Sequence, residues 1–133
     1  MKKRINSKQK GKAVEREAVK FLTSMGFPCH RTAQNRGKTG DCADIEFEDE
    51  KFPLHVEVKG VNGMRVDTLE LVRAIEQAKR DASVEDPPKF PVVLWWEHRL
   101  GWRLSWTLDS VVVVTVGQSQ IKEGIEFLLK EIA

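Results

Sequence analysis

The chain has 133 residues, 41% of them hydrophobic and 32% charged, with a net charge of +2. That length and apolar content suit one α/β-sized domain with a single core. No apolar run reaches bilayer-spanning length and the opening MKKRINSKQKGK has no signal-peptide core, so a cytoplasmic protein is expected. Two cysteines, Cys29 and Cys42, without CxxC or Cys/His ligand spacing, read as free thiols with no assigned chemistry.

Charge is placed unevenly. Residues 1–12 carry Lys2, Lys3, Arg4, Lys8, Lys10 and Lys12 with no acid among them, a basic N-terminal arm suited to a polyanion or to plain solvation. The folded domain is expected over residues 7–133, its first helix overlapping the arm. From Ser7 to Met25, Val14, Ala18, Phe21, Leu22 and Met25 recur at helical spacing, and Gly26 is a stop signal. Phe27 to Thr32 suits a short strand, and AQNRGKTG after it a polar loop whose Arg36 and Lys38 fit a phosphate backbone and plain solvation equally well.

Ala43 to Glu48 and Leu54 to Gly60 read as strands joined by an acidic turn, hence a hairpin. Between Asp67 and Ala82, Leu71, Ile75, Ala78 and Ala82 define a second amphipathic helix, with Asp67 or Thr68 as its cap. After DPPKFP, the segments Val92 to Glu97 and Trp102 to Thr107 flank the turn HRLG and extend the sheet. VVVVTV favours a strand, and Ser119 to Ile132 a closing helix with Ile121, Ile125, Leu128, Leu129 and Ile132 on one face.

One feature breaks the pattern. His55, Glu57 and Lys59 occupy alternate positions of an otherwise apolar strand, and so share one of its faces. Buried charge without compensation costs several kcal/mol, so this strand either lies at an edge or serves chemistry. Asp44, on the neighbouring segment, can bring a second carboxylate to Glu57, with Lys59 and the Val58 carbonyl beside them. Hard oxygen donors in this arrangement suit Mg²⁺ or Mn²⁺, which would offset the repulsion between the acids and activate water against a phosphodiester. Glu15, at the border of the first helix's apolar stripe, can complete the set directly or through water. Alternating Glu and Lys also protect exposed edge strands, which is the structural alternative.

The order of these elements, through GKAVEREAVKFLTSMGF, GDCADIEF, LHVEVKG, IEQAKRDA and PVVLWWEH, resembles the PD-(D/E)XK nuclease superfamily, and within it the archaeal and phage-type Holliday junction resolvases. The resemblance spans roughly residues 11–107. It matches the helix glutamate to Glu15, the motif aspartate to Asp44 and (D/E)XK to Glu57, Val58 and Lys59. Ala43 stands where the motif has proline, and Asp41 is a rival to Asp44. The resemblance implies a restriction-endonuclease-like α/β fold, a central mixed sheet flanked by helices. It also implies Mg²⁺ with Mn²⁺ able to substitute, a homodimer, and a branched DNA substrate such as the four-way junction. A less selective repair or restriction nuclease or nickase, or a non-catalytic DNA-binding module, would share the fold.

Gln77 resembles a glutamine that such nucleases carry near the scissile phosphate, and Lys79 is a second candidate contact; both also fit a solvated helix surface. Trp95, Trp96, Trp102 and Trp106 are expected to pack or to meet a second subunit more than to stack on bases. His30, His55 and His98 show no zinc-ligand spacing.

Overall fold

The computed structural model describes residues 7–32, 43–60, 69–109 and 112–132, with side chains given from residue 11 onward. Helix α1 (Ser7–Ser24) ends where Gly26 adopts φ +94°. The Gly26 N–H donates to the Thr23 carbonyl and the Phe27 N–H to the Leu22 carbonyl, both at 3.0 Å, so the last turn closes on itself. Strand β1 (Cys29–Arg31) follows and pairs antiparallel with β2 (Ile45–Phe47), Cys29 opposite Phe47 and Arg31 opposite Ile45. The expected loop at residues 33–40, the cap at Asp67 or Thr68, and Cys42 lie outside the described residues.

Strand β3 (Leu54–Lys59) leads through helix α2 (Leu69–Ser83) to β4 (Phe90–Glu97), which runs parallel to β3 with Glu57 opposite Val93 and Lys59 opposite Trp95. A parallel pair needs such a crossover. Antiparallel β5 (Gly101–Leu108) and β6 (Val112–Gly117) complete a four-stranded mixed sheet of order β3-β4-β5-β6. A 3₁₀ turn (Gln118–Gln120) then leads into α3 (Ile121–Ile132).

The predicted hairpin between the Ala43 and Leu54 segments is not the pairing found. Strand β2 forms its ladder with β1, while β3 forms its own with β4. Composition explains the difference. Five of the six β3 residues are buried, so the strand is covered on both faces as parallel strands are. The short β2, with a half-buried Glu46 between two buried residues, extends the two-stranded ribbon instead.

Strand alternation divides the interior into two cores. Leu54, Val56, Val58, Val92, Leu94, Trp102, Leu104 and Trp106 pack with α1, the β1–β2 ribbon and α3. On the other face, Leu71, Ala74, Ile75 and Ala78 of α2 cover Val93 and Trp95. Trp95 Nε1 donates to Ser105 Oγ at 2.9 Å, and that oxygen lies 2.8 Å from Thr115 Oγ1, which satisfies polar groups beneath the helix. Three of the four tryptophans are therefore buried side chains, while Trp96 is exposed and meets Trp102 edge-on at 5.3 Å. Cys29 is a buried free thiol whose pKa burial raises. Among the described residues, no helix is long and apolar enough to cross a membrane.

Candidate metal centre

The α2-facing side of β3 should by strand logic be apolar, yet it carries His55, fully buried, and Glu57, 3% exposed. Lys59, at the strand end, is half-buried. Glu57 is thus a carboxylate taken almost wholly out of water, a state that requires partners.

The first partner comes from the ribbon. Asp44, immediately before β2, points its Oδ2 at the Val58 N–H, which donates to it over 2.8 Å. The Phe90 N–H donates to the Pro53 carbonyl, so odd-numbered residues of β3 turn their backbone groups toward β4, and Val58 turns its own toward the free edge. An extended residue projects N–H and C=O to the same side, so the Val58 carbonyl lies along the edge occupied by Asp44.

A third acid comes from α1. Glu15, half-buried, accepts a hydrogen bond from Arg31 Nε at 3.1 Å, an ion pair that ties the helix to β1. Asp44 feels both of the other acids. Burial, then the charge of Glu57, pushes the Asp44 carboxyl from its ordinary 3.8 up to about 7; the Val58 N–H works against the rise, and the charge of Glu15 adds to it. Neighbouring carboxylates, one of them buried enough to hold its proton near neutrality, fit a divalent cation, which would relieve the repulsion and satisfy the oxygens. Asp44, Glu57 and Glu15 are the acids that could hold it, with the Val58 carbonyl as a backbone donor.

A second donor group shares Glu57. His55, Glu57 and Asp81 each bring a ligand atom within 4.8 Å of the others. His55 Nε2 lies 3.3 Å from Glu57 Oε1, and its Nδ1 lies 2.8 Å from Glu85 Oε2. Burial disfavours the imidazolium, but the hydrogen bonds to Glu57 and Glu85 outweigh it and the His55 pKa moves upward.

Two clefts adjoin the cluster. One, of about 520 Å³, is lined by Thr32, Ala43, Glu46, Glu85 and Lys89 among others. The other, of about 410 Å³ and largely apolar, is lined by Ala13, Val14, Glu17, Gly60, Trp96 and Trp102.

A solved archaeal resolvase superposes on this chain. It is Hjc, a Holliday junction resolvase from Archaeoglobus fulgidus, aligned over 83% of this chain and 85% of its own at a TM-score of 0.49 and 22% identity. No protein-family model and no curated protein matches the chain.

The remaining candidates fall in different places. Gln77 is half-buried on α2, one turn before Asp81 and so on the same helix face. Lys79 Nζ pairs with Glu76 at 3.3 Å, and Lys12 is half-buried on α1. The Lys10 side chain, Arg36 and Lys38 lie outside the described residues. Sequence reasoning missed Arg31, Asp81 and Glu85. The available signals were an arginine at the end of a short strand and an acid one turn after Gln77; Glu85, beyond the helix, carried none.

Proposed function

We propose that the chain is a Mg²⁺-dependent endodeoxyribonuclease of the PD-(D/E)XK type that cuts branched DNA, the four-way junction foremost. The observation that carries this reading is the burial of Glu57 beside Asp44, whose carboxyl is pushed up to about 7 by burial and then by the charges of Glu57 and Glu15. A buried carboxylate with a second acid beside it on the same backbone edge is costly unless compensated, and a cation from solution would compensate both.

In this reading Asp44 and Glu57 are the metal ligands, the Val58 carbonyl a further donor, and Glu15 a ligand directly or through water. Mn²⁺ should substitute, since the same oxygens suit both ions. The bound ion would supply positive charge to the phosphate and make a neighbouring water more acidic. Lys59 orients that water for in-line attack on phosphorus, and its ammonium offsets charge as the new P–O bond forms and the opposite one breaks. The attacking water gives up a proton to solvent, and the oxygen that departs takes one from it. Lys10, Lys12, Arg36, Lys38, Gln77 and Lys79 are assigned to the DNA backbone, where reach and charge are the requirements. A homodimer would offer two such sites to the two strands of a junction.

The test is incubation of a labelled four-way junction and a matching linear duplex with the protein, in Mg²⁺ or in EDTA. Junction cleavage that needs Mg²⁺ and disappears in Glu57→Gln, with junction binding kept, is expected. No metal-dependent cutting of either DNA would overturn the nuclease reading. Equal cutting of both would overturn the junction preference and leave a less selective nuclease.

A further inference from the structure

We infer that His55 is a positioning residue for the Glu57 carboxylate, clamped from behind by Glu85, so that one oxygen of Glu57 is tied down and the other is presented to the cation. The inference rests on the reading of Glu57 as a metal ligand.

The geometry is that of a three-member chain. Glu85, just beyond α2, approaches His55 Nδ1 at 2.8 Å, and Nε2 faces Glu57 Oε1 at 3.3 Å. An ionised carboxylate only accepts hydrogen bonds, so a ring between two of them donates at both nitrogens. His55 is fully buried, two residues before Glu57 on the same strand face, and so has no freedom to turn away. Glu85 is held in turn, with Lys89 Nζ 4.0 Å from its other oxygen.

The consequence is preorganisation. A free glutamate side chain loses rotamer entropy when fixed. Here that cost falls during folding, before any cation arrives. Ligand carboxylates that are hydrogen-bonded from behind bind metal more tightly, and loss of such a partner typically weakens metal affinity about 10–100-fold.

His55 is also near enough to Glu57 and Asp81 to be considered a ligand itself. A ligating nitrogen must be unprotonated. With Nδ1 directed at Glu85 and Nε2 at Glu57, the ring is occupied on both sides, and the support role is favoured.

The experiment is Mn²⁺ titration of the metal-free protein by calorimetry, on wild type, His55→Gln, Glu85→Gln and Glu57→Gln, alongside thermal melts and junction binding in EDTA. Both His55→Gln and Glu85→Gln should bind Mn²⁺ about 10–100-fold more weakly with unchanged stoichiometry and junction affinity. Cleavage by both should recover at saturating Mn²⁺. Wild-type Mn²⁺ affinity in a folded Glu85→Gln protein would overturn the inference, as would a cleavage defect that excess Mn²⁺ does not repair. A wild type that binds no Mn²⁺, or binds it as Glu57→Gln does, would overturn the metal reading itself, a distinguishable result. If His55→Gln does not fold, Glu85→Gln alone decides.

Discussion

Asp44 does two jobs with one carboxylate. It accepts the Val58 N–H, and burial, followed by the charges of Glu57 and Glu15, raises its pKa from 3.8 to about 7 in the folded state. Between those values the folded chain holds a proton that the unfolded chain has released. Stability of the metal-free protein therefore falls as pH rises through that window and is greatest below it. Asp44→Asn keeps an oxygen for Val58 and removes the charge. It should flatten this dependence and stabilise the metal-free protein at pH 8 by on the order of 2 kcal/mol. Urea denaturation of both proteins in EDTA at pH 5 and pH 8 measures the difference; an equal slope with pH in the two would refute it.

At this scale the sequence was informative about position and silent about partners. Alternation alone put His55, Glu57 and Lys59 on one strand face. The hydrogen bonds that hold them, Arg31 on Glu15 and Glu85 on His55, join residues 16 and 30 apart in the chain, and no local pattern reports such distances.

At the scale of elements, the site depends on how closely α1 approaches the end of β3. A Cβ built on Gly60 would meet Val14 Cγ2 at 2.5 Å, so glycine permits the helix to lie against the strand that carries Glu57 and Lys59. Val14 is β-branched and cannot swing aside on a helix. Gly60→Ala should destabilise by about 1–3 kcal/mol through overpacking and, by displacing Glu15, weaken the proposed cleavage. Val14→Ala in the same chain should recover much of both. A double-mutant cycle in urea reads the coupling, and strict additivity would show that the two positions do not meet.

Helices and long strands were legible because burial imposes a period on them. The partner of β3 was not. A short acidic turn suggested a hairpin, whereas the observed parallel pairing with β4 depends on α2 covering one face of both strands, a tertiary fact. Five buried residues out of six in LHVEVK were the clue, masked by the polar identity of two of them.

For the whole molecule, a net charge of +2 conceals a polarised chain, with six basic residues and no acid in residues 1–12. If the partner is DNA, junction affinity should fall linearly on a log–log plot against salt. Removal of residues 1–6, which takes away Lys2, Lys3 and Arg4, should reduce the slope by up to about 0.9 for each phosphate that is no longer neutralised. Fluorescence anisotropy between roughly 50 and 200 mM salt, where binding of this kind weakens steeply, is the measurement. An unchanged slope would mean that the arm does not touch the backbone.

The hydrogen bond from Val58 to Asp44 has a consequence for how the protein keeps to itself. A bare sheet margin invites another chain to add a strand, and proteins commonly guard such margins with charge. Here the guard on β3 is the same carboxylate that the proposed chemistry employs. A change at position 44 to an apolar residue would therefore cost more than catalysis: it would leave the margin open to self-association, and loss of activity and loss of solubility would arrive together.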